Sequence, residues 1–219
     1  MTRNLTALLA GASGLVGGEC LKRLVESAEY GRVIVVTRRD LGAPARHPKV
    51  TQLVIDFERL GDERDVLRAH HVFCALGTTI RKAGSKARFQ RVDYEYPLHL
   101  AQLARMNDAR HFSIVSALGA SRSSPFFYSR VKGDVEQGLR AMRWPSLAIF
   151  RPSVIAGERG ESRPLERASE HLLRLAPATW RPVAASDIAA AMVAVAIESP
   201  PDVTIIESRD IAVRARSSR

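Results

Sequence analysis

Tyr128-Ser129-Arg130-Val131-Lys132 opens a segment of helical composition, and a spacing of four sets Tyr128 and Lys132 on one helical face. Such a pair could pass a proton to a substrate oxygen. A free tyrosine, with a pKa of about 10, is a poor proton-transfer group at neutral pH. An ammonium roughly 4 Å away, at an effective dielectric near 20, contributes on the order of 4 kcal/mol, enough to lower that value by nearly 3 units before desolvation opposes it. Lys132 is therefore expected to be the activator, and its ammonium can also bond ribose hydroxyls. A buried tyrosine beside a solvated lysine is the ordinary structural alternative. Ser116, 12 residues before Tyr128 and at the end of a predicted strand, adds weight to chemistry. Open α/β sheets bind ligands at the carboxyl ends of their strands, and a serine there can hydrogen-bond the same substrate oxygen.

Nearer the N-terminus, Gly11-Ala12-Ser13-Gly14-Leu15-Val16-Gly17 joins the first predicted strand to the first predicted helix. Glycines at 11, 14 and 17 let the chain turn sharply, approach a pyrophosphate without Cβ obstruction, and pack the helix close to the sheet. The helix N-terminus then offers N–H groups and a partial positive charge to the phosphates. This placement suits a dinucleotide-binding loop, although a purely structural turn also uses glycine. About 20 residues further on, where an NAD-preferring protein places an acid for the ribose 2′-hydroxyl, stand Arg38 and Arg39. Guanidinium forks match phosphate oxygens in pairs, so the expected cofactor is NADP, with NADPH preferred over NADH. Asp40, one residue later, could still serve a ribose, and a solvated loop is the plain reading. Asp56, closing the third predicted strand, could meet an adenine amino group or cap the following helix. Ala75-Leu76-Gly77-Thr78-Thr79, closing the fourth, has the small residues needed where a chain passes beneath a cofactor, or is simply a loop.

Seven short apolar runs could position these groups: Leu5 to Ala10, Arg32 to Thr37, Thr51 to Asp56, Val72 to Leu76, His111 to Ser116, Ser146 to Phe150 and Val203 to Glu207. Between them lie segments of helical composition, chiefly Leu15 to Ala28, Ser85 to Met106, Phe126 to Met142 and Ser186 to Ser199. Strands that continuous in apolar character are usually buried on both faces of a parallel sheet. The expected fold is α/β, a doubly wound parallel sheet of the Rossmann kind. The 219 residues read as one domain, with a polar tail over 214–219.

At 46% hydrophobic and 26% charged, the composition is that of a globular protein. The longest nearly apolar stretch, Ile188 to Ile197, is too short to span a bilayer, which takes roughly 20 residues. The first residues lack the full pattern of a secretory signal, and two cysteines suit a reducing compartment, so a soluble, cytoplasmic protein is expected. Of 33 basic residues 28 are arginine, and the net charge is +10. They are dispersed and mixed with acids, whereas a nucleic-acid binder more often shows a basic stripe interleaved with aromatics; no nucleic acid is expected, and an anionic small molecule would use the same field. Arg81, Lys82, Lys86, Arg88 and Arg91 form a local cluster, read as solvated charge or as the rim of a cofactor mouth. His70 and His71 with Cys74 have a metal-like look, but no second close ligand pair accompanies them, and no metal is expected. His99, His111 and His171 support packing or surface roles only.

The glycine loop, Ser116, Tyr128 and Lys132 in this order resemble the short-chain dehydrogenase/reductase superfamily, and the three-residue glycine spacing is similar to its extended and atypical branches. A closer likeness is to the branch typified by a Tat-interacting oxidoreductase and its bacterial relatives. It rests on Cys74-Ala75-Leu76-Gly77-Thr78-Thr79, Lys82-Ala83-Gly84, Val92-Asp93-Tyr94, Ser124-Pro125-Phe126-Phe127-Tyr128, Val131-Lys132-Gly133 and Phe150-Arg151-Pro152-Ser153, and it spans about 5–207. The resemblance implies NADP(H) held by Ser13, Gly14, Leu15, Val16, Arg38, Arg39, Leu76, Tyr128 and Lys132. It also implies nicotinamide contact through the main chain near Ser153, and Tyr128 as the proton-transferring residue. A small-molecule carbonyl would be the substrate, and relatives' interaction roles make a protein partner an alternative. Two features depart from the pattern. The sequence has only Asn4 and Asn107, so the helical asparagine of many members is missing from the middle of the Ser85 to Met106 segment. Only 68 residues follow Arg151, so the substrate region must be a small lid, expected over 157–177, where Arg159, Glu161, Arg163 and Glu166 would form salt bridges or meet an anionic substrate.

Overall fold

Alternation along a single strand decides the layering. In β1 (Leu5–Ala10), Ala7 and Leu9 enter one core while Leu8 and Ala10 enter another, and all four are fully buried. A strand apolar on both faces needs helices on each side of its sheet. The computed structural model, which describes residues 4–156 and 181–216, has that arrangement. The other strands are β2 (Tyr30–Thr37), β3 (Val50–Val54), β4 (His71–Cys74), β5 (His111–Val115), β6 (Ser146–Arg151), β7 (Ile155–Ala156), β8 (Val183–Ala184) and β9 (Asp202–Glu207). Seven of them form one parallel sheet in the order β3-β2-β1-β4-β5-β6-β9, and β7 pairs with β8 in a small separate one. After β3 the chain returns to β4 on the other side of β1, so the crevice between the carboxyl ends of β1 and β4 is the switch point where such sheets bind ligands.

The helices are α1 (Leu15–Glu26), α2 (Ile80–Ala83), α3 (Lys86–Gln90), α4 (Tyr96–Met106), α5 (Phe127–Ala141), α6 (Ala185–Glu198) and α7 (Ser208–Arg216). One core packs α1, α6 and α7 on the sheet through Val16, Leu24, Ile188, Met192 and Ile211; the opposite core packs α4 and α5 through Leu100, Ala104, Val135 and Leu139. Gly138 lets α4 and α5 approach closely, since a Cβ there would come within 2.8 Å of the Leu98 side chain.

Three features differ from the sequence expectation. The single helix foreseen over Ser85 to Met106 is α3 and α4 separated by a π-turn, Arg91–Glu95. Pro97 accounts for it: four residues after Asp93, it has no N–H for the Asp93 carbonyl, and the Tyr96 N–H bonds Arg91 instead, five residues back. A 3-10 segment, Phe57–Val66, follows β3. The polar tail foreseen from Arg214 begins inside α7, whose Ile211 and Ala215, four apart, are buried while Arg214 pairs with Glu198 of α6 at 3.2 Å. The lid foreseen over 157–177 lies outside the described residues. Among the described residues, no helix is long and apolar enough to cross a membrane.

Candidate functional site

The glycine loop lies at the switch point, and packing explains two of its three glycines. Gly11 has φ +94°, and a Cβ there would fall on the Ala75 carbonyl that follows β4. A Cβ on Gly17 would fall on the Gly11 carbonyl, so this glycine brings α1 down onto the end of β1. Gly14 is different: exposed, at φ −90°, it caps α1 with no side-chain hydrogen bond, and no acid stands in the first turn. The first N–H groups of α1 are thus left to an outside anion. Ser13 is exposed beside it, Leu15 is half-buried and Val16 belongs to the core. A backbone cradle that a Cβ would fill, ending on an uncapped helix, fits the pyrophosphate of a dinucleotide.

Arg38 and Arg39 follow β2, both exposed and without an ion pair among the described residues. Gln52 fixes the turn, donating to the Thr37 hydroxyl at 2.7 Å and the Arg39 carbonyl at 3.0 Å. Asp40 spends one carboxylate oxygen locally, accepting the Gly42 N–H at 2.9 Å. Asp56 caps the 3-10 segment by accepting the Glu58 N–H at 3.1 Å, which is the capping role the sequence allowed. Leu76 is half-buried and Gly77 exposed, and a Cβ on Gly77 would meet Asp93 Oδ1 at 3.5 Å and Lys132 Nζ at 4.0 Å. The loop after β4 therefore runs directly over the lysine.

Tyr128 stands in the first turn of α5, 38% exposed, with its ring against Phe89 of α3 at 5.6 Å between centroids. Lys132, one turn later, is buried and paired with Asp93 of the π-turn, Nζ to Oδ1 2.8 Å. Burial alone would pull the ammonium's pKa down, but the Asp93 carboxylate, with Tyr128 and Cys74 adding, more than offsets this and holds it above the usual lysine value. The neighbouring Cys74 thiol is pushed up to about 12 by burial and is inert. Gly133 completes the setting: a Cβ there would collide with the backbone of Ser121 and Arg122, so its absence lets the loop after β5 lie on α5.

Ser116 and Ser153 are both engaged by other residues of the chain. The Ser116 hydroxyl is buried and donates to Glu136 of α5 at 2.6 Å, drawn by a carboxylate that also binds Arg151 and Arg140. It braces the end of β5 against α5. The Ser153 N–H donates to the Ser208 hydroxyl at 3.1 Å and its own hydroxyl to the Arg181 carbonyl at 2.6 Å, leaving neither donor for an amide of the cofactor. Sequence reading missed Asp93 and Glu136 as partners of the site. The signal for Asp93 was Pro97, which breaks the helix so that the carboxylate turns inward; nothing local marks Glu136. His71 bonds the Tyr30 hydroxyl at 2.7 Å and His70 accepts the Thr6 N–H at 2.9 Å, so both serve the sheet.

A model of the NAD(P)H-binding family matches residues 11–155, more than half of the chain. Protein HTATIP2 of Rattus norvegicus is 37% identical over 180 residues, 81% of this chain and 74% of the relative. The mitochondrial protein fmp52 of Aspergillus clavatus is 35% identical over 165 residues, 73% and 70% of the two chains. Among solved structures, MoeE5 in complex with UDP-glucose and NAD superposes with a TM-score of 0.71 at 16% identity, covering 97% of this chain and 81% of that one; at that identity the likeness shows the fold. The glycine cradle at the switch point thus stands in a chain that belongs to the NAD(P)H-binding family and is a relative of HTATIP2.

Proposed function

We propose that the protein is an NADP(H)-dependent reductase that acts on a carbonyl group of a small molecule. One observation carries this reading: Tyr128 presents an exposed phenol at the carboxyl end of the sheet, one helical turn from a lysine buried beneath the Gly77 loop. Bound NADPH would supply the hydride. Tyr128 gives a proton to the carbonyl oxygen, Lys132 anchors the floor of the site, and the α1 N-terminus with Gly11 and Gly14 holds phosphate. Arg38 and Arg39 would favour the 2′-phosphate, hence NADPH over NADH. Phe126, 72% exposed two residues before Tyr128, gives the substrate an apolar surface to lie on.

NADPH oxidation across a panel of aldehydes, ketones and quinones tests the reading. Turnover should fall by about 10² to 10⁴ in Tyr128→Phe, the range for a positioned general acid, with NADPH affinity nearly unchanged. An unmodified protein that binds NADPH and reduces none of the panel would sink it. The engagement of Ser116 by Glu136 favours a second reading, a non-catalytic protein whose binding of a protein partner responds to NADPH. The dispersed arginines give no stripe for nucleic acid, and we assign it no such role. Cys20 and Cys74, both buried and unpaired, suit a reducing compartment; we favour the cytoplasm.

A further inference from the structure

One stretch of the chain breaks the even mixing of charge. Between Asp65 and Asp93 there is no acidic residue, while Arg81, Lys82, Lys86 and Arg88 stand on α2 and α3 and Arg91 directly follows. The stretch is well braced. The Thr79 hydroxyl accepts the Lys82 N–H at 3.1 Å to cap α2, Gly84 turns the chain at φ +77°, and the Ser85 hydroxyl accepts the Arg88 N–H at 3.1 Å to cap α3. Arg91 pairs with Glu58 at 3.3 Å; the other four cations are exposed and have no ion pair among the described residues. Phe89, wholly buried, fixes where they stand. Its ring meets Phe127 at 5.8 Å and Tyr128 at 5.6 Å, so α3 packs on the first turn of α5. Lys86, three residues before Phe89, shares its helical face, and its ammonium lies over the Phe127 ring at 5.4 Å.

The sheet order separates these cations from the phosphate-holding groups. Arg38, Arg39 and the α1 N-terminus follow β2 and β1, on one side of the switch point; α2 follows β4, on the other, and α3 packs beside Tyr128. We propose that the substrate is an acidic carbonyl compound, whose carboxylate or phosphate is received by Lys86 with Arg81 and Lys82 while its apolar body lies on Phe126. This substrate class rests on the reductase reading. Four exposed cations with no acid among them draw an anion to this rim of the site. Phe127 already holds the Lys86 side chain, so less of its freedom is lost when an anion arrives. A neutral carbonyl compound gains from neither effect.

The test uses two matched pairs of aldehydes with the full chain and saturating NADPH. One pair is para-carboxybenzaldehyde and its methyl ester; the other is para-formylphenyl phosphate and para-methoxybenzaldehyde. The acid of at least one pair should exceed its neutral partner by about tenfold or more in kcat/KM, and the pair that shows it identifies the acidic group. With Arg81, Lys82 and Lys86 all replaced by glutamine, that preference should fall to about threefold or less, chiefly through KM for the acid. NADPH affinity, read by fluorescence titration, should stay within about twofold in the same variant. A loss of NADPH affinity as large as the loss of preference would mean that these cations read the cofactor's phosphates, and the proposal is then wrong. Equal kcat/KM within both pairs, or a preference that survives the triple replacement, overturns it equally. Absence of turnover with every aldehyde would defeat the reductase reading, and calorimetry on the NADPH complex then decides the anion site alone. Benzoate or phenyl phosphate should bind about tenfold more tightly than benzamide and lose that margin in the triple variant; equal or undetectable binding overturns the proposal.

Discussion

Arg151, closing β6, grips Glu136 of α5 with two hydrogen bonds, Nε to Oε1 at 2.9 Å and Nη2 to Oε2 at 2.6 Å. The same guanidinium reaches Glu207 of β9 at 2.9 Å, so one residue fastens two strand ends to the helix that carries Tyr128 and Lys132. Hydrogen bonding to Glu136 raises the Arg151 pKa further above its ordinary value, so the arginine stays charged at any working pH. Glu136 is 3% exposed, and without Arg151 it keeps only Arg140 and the Ser116 hydroxyl as partners. Arg151→Ala should therefore cost about 1.5–3 kcal/mol or more in urea denaturation. Ser116→Ala removes one hydrogen bond to the same carboxylate and should cost about 1.5–3 kcal/mol. If Ser116 is a brace, that variant keeps its NADPH affinity; a large loss of affinity with little loss of stability would return it to the substrate side.

Gly11 and Gly14 should respond differently to an added methyl. At φ +94°, with the Ala75 carbonyl in the way, Gly11→Ala meets both strain and overpacking and should lose about 1–3 kcal/mol or more. Gly14→Ala, whose nearest obstacle is the Gly11 carbonyl at 3.3 Å, should stay within about 1 kcal/mol in thermal melting, since its backbone is already ordinary. Its NADPH affinity should drop by about tenfold, because the new Cβ stands where the phosphates approach. Equal melting losses in the two variants would contradict this division of roles.

The fold was legible because its signal is local. Apolar runs of five or six residues alternating with helical segments found all seven strands of the main sheet, and the glycine loop identified the carboxyl end of β1 as the place to look. What escaped is set by contacts distant in sequence. Ser116 sits at the predicted strand end, but its hydroxyl is claimed by Glu136, 20 residues later, and by the arginine of another strand that holds it. Asp93 looked like one residue of a long helix until Pro97 forced the π-turn that aims it at Lys132. The β7–β8 pair was missed because two residues carry no readable period, and its strands lie 28 residues apart.

Low pH should weaken the protein through His111. Its ring is wholly enclosed, bonded to Ser146 at 2.8 Å and Ser113 at 2.7 Å, and edge-on to His71 at 5.5 Å. Burial first, and then the His71 charge, push its pKa down to about 3. Unfolded, it would titrate near 6.5. Above that value neither state binds the proton and nothing is lost. Between about pH 6.5 and 3 the unfolded chain takes up a proton that the native state refuses, so stability falls on acidification by up to about 1.4 kcal/mol per pH unit. Urea midpoints at pH 7, 6, 5 and 4 should show this slope in the unmodified protein and a shallower one in His111→Gln. Parallel slopes would mean that other groups carry the acid sensitivity.

On the proposed reading, Arg38 and Arg39 set which dinucleotide the site prefers. Both are exposed at the end of β2, the Arg39 carbonyl accepts from Gln52, and the neighbouring Asp40 accepts the Gly42 N–H. A 2′-phosphate adds two negative charges and acceptor oxygens that guanidinium forks match; a 2′-hydroxyl offers them neither. NADPH should therefore bind more tightly than NADH in fluorescence titrations. Replacing both arginines by alanine should narrow the gap by one to two decades, about 1.4 kcal/mol per decade. Because the pair is solvent-exposed, the preference should also shrink as salt rises from 0.05 to about 0.5 M, where the screening length drops well below 10 Å. NADH affinity should change little in either experiment, since its ribose carries no charge for the arginines to read. Equal affinities for the two cofactors in the unmodified protein would refute the assignment, and a preference that survives the double replacement would move it to other residues.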